Sequence, residues 1–99
     1  MVKNVIGQNG NPVVNLFVID TKNGKYFQSY NSVVCKIDKK TNKVTLSNHW
    51  DYSVTTAKYL YRFLNENTSL GKLNKKEVKT LISKGVITLI LTPSLKINL

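Results

Sequence analysis

One histidine, one cysteine and five carboxylates are the side chains that this 99-residue chain offers as metal ligands or paired acids. The carboxylates Asp20, Asp38, Asp51, Glu66 and Glu77 are spread over distant segments. No two of them form a close acid pair, and with His49 and Cys35 they make no cluster at metal-ligand spacing. Thr55 and Lys58 in "TTAK" fall at i, i+3, one helical turn apart, faintly like a hydroxyl nucleophile and its lysine base. Without the remaining motifs of that machinery the pair is commonplace. "GQNGNP" (7–12) is glycine-rich, yet it lacks a strand before it, the Lys-Ser/Thr of a P-loop and the third glycine of a dinucleotide fingerprint. No catalytic residue, metal or cofactor is expected, and the chain is expected to work by binding.

Binding chemistry is better represented. Fifteen Lys and Arg against five Asp and Glu give a formal charge of +10, and Arg62 is the one arginine. That balance favours polyanionic partners: nucleic acid, a ribonucleoprotein or an acidic protein surface. Lysine is a hydrated point charge without the bidentate fork that reads base edges, so sequence-specific DNA recognition is disfavoured. Lys, Asn and Ile richness is also what coding from an AT-rich genome produces, so charge alone does not name a partner. Candidate contacts fall in three groups. The sheet aromatics Tyr26 and Tyr30 suit base stacking, and Lys36, Lys39, Lys40 and Lys43 suit phosphates. Lys58, Tyr59 and Arg62 form a basic and aromatic row on one helix. Trp50 either closes the end of the core, the favoured role, or serves as a stacking anchor.

These residues need elements to hold them. The first half reads as four strands: 12–20, 25–30, 32–38 and 43–50, with Asn23-Gly24 as a hairpin turn. Alternation sets Tyr26, Gln28 and Tyr30 on one face, and Val33, Cys35 and Ile37 inward with Val34 and Lys36 outward. The period then changes to 3.6. Val54, Ala57, Leu60, Tyr61 and Leu64 form a helical stripe, with Asp51 or Ser53 as N-cap. Asn74 and Glu77 form a capping box for a second helix, and Gly85 ends it. "VITLILT" (86–92) reads as a buried strand, and 93–99 as a tail or an edge strand. The expectation is a single α+β domain over 1–99: an antiparallel meander of about four strands, two helices on one face and a C-terminal strand. No signal peptide or membrane span is evident, and the lone cysteine favours a reducing, cytoplasmic setting.

Gly24, the aromatic run Tyr26 to Asn31, the apolar Val33 to Ile37, and Trp50 to Ser53, Thr55-Thr56, Lys58-Tyr59 and Phe63-Leu64 form a pattern. It resembles a family of small uncharacterised proteins of phages and mobile elements of low-GC Gram-positive bacteria. The resemblance covers 24–64 and departs at Val54, where the pattern has a basic residue. It implies provenance, with no activity attached. Small non-enzymatic phage proteins often inhibit a host machine, so the first expectation is binding to a host protein or ribonucleoprotein such as a CRISPR effector. The alternative is non-specific nucleic-acid binding. Self-association through an exposed strand edge is a third.

Overall fold

The computed structural model describes residues 1–97. Five strands follow in succession: β1 (Val2–Ile6), β2 (Pro12–Asp20), β3 (Gly24–Ser29), β4 (Ser32–Asp38) and β5 (Val44–Ser47). Each pairs antiparallel with the next. The helices α1 (Val54–Asn67) and α2 (Lys75–Ser83) follow, and β6 (Ile87–Ile90) returns parallel to β5 with Val44 opposite Ile87. The sheet order is therefore β1-β2-β3-β4-β5-β6, an α+β architecture.

Local chemistry explains the helix ends. The Ser53 hydroxyl accepts from the Thr56 amide at 3.0 Å, satisfying a donor that the first turn of α1 leaves free. At α2 the Asn74 side chain accepts from the Glu77 amide at 2.8 Å, and Glu77 accepts from the Asn74 amide at 3.1 Å. Gly85, at φ +76°, closes α2. Its amide bonds Ile82 O and the Val86 amide bonds Leu81 O, the paired closure that a left-handed residue permits.

Both helices bury their apolar sides on one sheet face. Leu60, Phe63 and Leu64 of α1 and Val78 of α2 meet Leu16, Phe27, Cys35, Leu46 and Ile87. Each such side chain contributes about 1.5–3 kcal/mol of transfer free energy. Burial also pushes the Cys35 thiol pKa far up, removing the reactive thiolate. Cys35 is therefore expected to resist a thiol-alkylating reagent at about pH 8 until the chain unfolds. Labelling rates with and without denaturant check this, and rapid labelling of the native protein would contradict it.

Several readings change in three dimensions. β1 precedes "GQNGNP", a segment read as having no strand before it, and makes it a hairpin loop. Its Gly7 amide bonds Asn11 O at 2.8 Å, and a strand rather than a helix follows, so no phosphate cradle forms. Gly24 opens β3 in extended conformation instead of turning. What it supplies is room: a Cβ there would sit 3.2 Å from the Tyr26 ring. On β4 the pairing slips between Phe27 opposite Cys35 and Gln28 opposite Val33, leaving Val34 as the extra residue of a bulge. The bulge sends Val34 into the helix-side core and Val33 to the opposite face. On α1, Phe63 belongs to the core, while Val54 is 89% exposed.

The segment after β6 is neither an edge strand nor a frayed end over its described part. β5 pairs only with Cys35 to Ile37, so the start of β4 lacks a neighbour on that side. The tail fills the gap. Val33 donates its amide to Ser94 Oγ at 2.9 Å and accepts from the Leu95 amide at 2.8 Å. Leu95 then packs with Ile19, Tyr26 and Val33 as a second, smaller cluster on the face away from the helices. Residues 98 and 99, the end of the 93–99 reading, lie outside the described residues.

Candidate functional site

Two of the sequence candidates become structural. Tyr26 is fully buried beneath Leu95, and Trp50 is buried with its ring edge-on to Tyr61 at 6.5 Å. Trp50 thus takes the core-closing role, and neither ring has a face left for a base. The lysines around the β4–β5 turn also separate. Lys36 lies on the back of β4 beside Tyr26, and Lys39 forms an ion pair with Asp20 that holds that carboxyl below its usual range. Lys40 and Lys43 are exposed in a turn organised by Asp38. The Asp38 carboxylate accepts from the Lys40 and Thr41 amides, which lower its pKa. None of these four lines the groove described next.

Three separate hollows open along α1, each sharing at least one lining residue with the next, and together they are called the α1 groove. Its head, of about 380 Å³, lies between the β3–β4 turn and the start of α1. Ser53 joins it to a middle section of about 320 Å³, and Lys58 and Tyr61 join that to a basic end of about 480 Å³. The head combines aromatic rings with hydroxyls. His49 and Tyr52 stack at 4.5 Å with an interplanar angle of 17°. Ser53, Thr56 and Ser29 form a hydroxyl chain, with Oγ to Oγ1 separations of 2.9 and 2.8 Å.

Tyr30 stands at the head's rim. It occupies a two-residue turn at φ +54°, with its side chain 64% exposed. A tyrosine holds this left-handed backbone at a cost of about 1–2 kcal/mol that asparagine or glycine mostly avoids. The Tyr30 amide, bonded to Asn15 O at 2.7 Å, helps to hold it there. Tyr30→Asn is expected to raise stability by about 0.5–1 kcal/mol while weakening whatever binds the groove. Chemical denaturation alongside a binding assay checks both halves, and lowered stability would remove the strain argument.

At the basic end, Lys58 Nζ and Arg62 Cζ lie 5.3 and 5.5 Å from the Tyr59 ring centroid, within cation–π reach. Lys72 and Gln8 face them across the opening. Acids are present but occupied. Glu66 sits 3.6 Å from Arg62, Asp51 pairs with Lys75 at 3.5 Å, and Glu77 belongs to the α2 capping box. Partial burial, followed by the charge of Asp51, raises the Tyr61 pKa and keeps its hydroxyl protonated. Chemically, the groove offers stacked rings at one end and cations at the other, while the Ser29 and Thr56 hydroxyls are buried and bonded to each other. Sequence reasoning found Lys58, Tyr59, Arg62 and Tyr30. It missed the His49–Tyr52 stack, Lys72 and the hydroxyl chain, whose only linear trace is the crowding of "DYSVTT". Among the described residues no helix is long and apolar enough to cross a membrane, and no three His, Cys, Asp or Glu side chains gather as metal ligands.

No curated protein and no solved structure matches the chain. A family model does match, over residues 1–80, from β1 through most of α2. With 80 of its 99 residues inside that match, the chain belongs to a family of unknown function, DUF8033.

Proposed function

We propose that this protein acts by binding, as a non-enzymatic accessory protein of a phage or mobile element. In this reading it works in the bacterial cytoplasm, docks on a host machine that carries nucleic acid and inhibits it. A CRISPR effector ribonucleoprotein is a concrete instance. The observation that supports this reading is the α1 groove, which sets Tyr30 and the His49–Tyr52 stack at one end and Lys58, Arg62 and Lys72 at the other. Such a surface suits a single strand with its bases on the rings and its phosphates on the cations. Provenance and inhibition rest on the resemblance of residues 24–64.

The same groove favours a second reading, in which the protein binds nucleic acid alone. Affinity capture from a Gram-positive host lysate, split into nuclease-treated and untreated halves, separates the two. A discrete host protein retained at one-to-one stoichiometry after nuclease treatment supports the inhibitor. Recovery of heterogeneous nucleic acid only, lost on treatment, supports the second reading and overturns the first.

A further inference from the structure

The cations of α2 stand on the side of that helix turned away from the core. Lys75, Lys76, Lys79 and Lys84 are exposed there and, with Thr80 and Ser83, line an open trough of about 610 Å³. Val78, Leu81 and Ile82 hold the opposite side, packed in or against the core. The side-chain carboxylates of the protein are occupied elsewhere. Asp20, Asp51 and Glu66 pair with Lys39, Lys75 and Arg62, Asp38 organises its turn, and Glu77 caps α2. Among the described residues Lys76, Lys79 and Lys84 therefore have no acidic partner.

The chemistry and the position of the trough indicate what it holds. Every side chain that lines it is a lysine or a hydroxyl, with no ring and no apolar anchor of the kind on which protein interfaces centre. Backbone phosphates need only cations and hydrogen-bond donors, and they carry no base to be read. Position supplies the rest. Lys75 lines both the trough and the middle section of the α1 groove, while its neighbours Asn74 and Glu77 line the basic end. The trough thus adjoins the groove across the first turn of α2.

We propose that the outer face of α2 extends the α1 groove as a phosphate track. A bound single strand leaves the groove over the first turn of α2 and continues past Lys76, Lys79 and Lys84. This inference rests on the reading that the groove holds a single strand, and adds the length of the site and the direction in which the strand leaves. At the rise of an α-helix, Ser53 to Arg62 spans about 14 Å of groove and Lys76 to Lys84 adds about 12 Å. The added stretch holds phosphates without stacking bases, so it is indifferent to sequence.

The test uses the full chain with oligothymidylates of about 6 and about 16 nucleotides, within the range of single-strand site sizes. The longer strand is expected to bind more tightly at low salt. Its slope of log affinity against log salt should be steeper by about 2, from three further contacts at about 0.7 each. Lys76→Gln, Lys79→Gln and Lys84→Gln together should return the longer strand to the slope of the shorter, and leave the shorter unchanged. Lys22→Gln, Lys40→Gln and Lys43→Gln remove the same charge from exposed turns and should alter neither. Equal slopes at both lengths, an α2 variant that behaves as the native chain, or equal losses from the two triple variants overturns the track. The groove reading survives those outcomes if Lys58→Ala with Arg62→Ala still weakens the short strand. If that pair alters neither strand, the groove reading fails and the track fails with it. Tighter binding of a polyglutamate of similar charge than of the longer strand assigns the face to an acidic protein and overturns the track as well.

Discussion

Phe27→Ala is expected to cost about 3–5 kcal/mol of folding free energy, enough to leave a domain of ordinary stability, about 5–15 kcal/mol, close to unfolding. Phe27 is completely buried on β3, a strand with neighbours on both sides, where it pairs with Val18 and Cys35. Its ring meets Phe63 of α1 at 5.6 Å between centroids, so one side chain joins the sheet to the helix that forms the groove. Truncation removes transfer free energy and leaves a hole that a central strand cannot close. Phe27→Leu keeps most of the volume and is expected to cost only about 1–1.5 kcal/mol. Denaturant midpoints at constant slope measure both. A loss below about 1.5 kcal/mol for the alanine variant would show that the ring is not the packing centre.

The second large effect concerns charge. Lys58→Ala combined with Arg62→Ala is expected to lower affinity for a single-stranded oligonucleotide by about tenfold or more at low salt. The slope of log affinity against log salt should fall by about 1.4, since each phosphate contact on a single strand contributes about 0.7. Both side chains are on the solvent side of α1 and their removal leaves the core intact. Lys40→Ala with Lys43→Ala is the control, because those residues belong to the β4–β5 turn outside the groove. If the turn variant changes the slope and the helix variant does not, the polyanion follows the turn and the groove reading fails.

What could be read from the linear chain was whatever depends on near neighbours. The α2 capping box and its glycine closure need residues three to six apart, and both are found where their spacing puts them. The four expected strands follow local periods and form, the last only over Val44–Ser47, and the helical stripe forms without Val54. Failures occur where a distant partner decides. Val33 and Val34 exchange faces because β4 carries one more residue than β3 across a bulge, which no alternation rule within β4 can register. Asn15 adopts φ +65° inside β2, and the Asn4 side chain donates to Val13 O and Leu16 O, both at 2.7 Å, across the irregularity. β1 itself escaped the reading because only Val5 of its five residues is buried. Tyr26 looked like a surface aromatic because the tail that hides it lies far along the chain. The groove was legible only at Lys58, Tyr59, Arg62 and Tyr30, since the head is assembled from the β3–β4 turn and the start of α1.

The parallel pairing of β5 with β6 carries a consequence for the order of assembly. β1 to β5 are joined by short turns, so each hairpin closes a small loop and needs little search. β6 reaches its place only after residues 48–86 have folded back as two helices, a far larger closure. The tail's bond from the Val33 amide to Ser94 spans 61 residues, a larger closure again. The meander thus acts as a template that forms early, and the last strand as a latch that closes late and opens first. Native-state hydrogen exchange should read this as weaker protection for Thr88 and Leu95 than for Phe27 and Cys35.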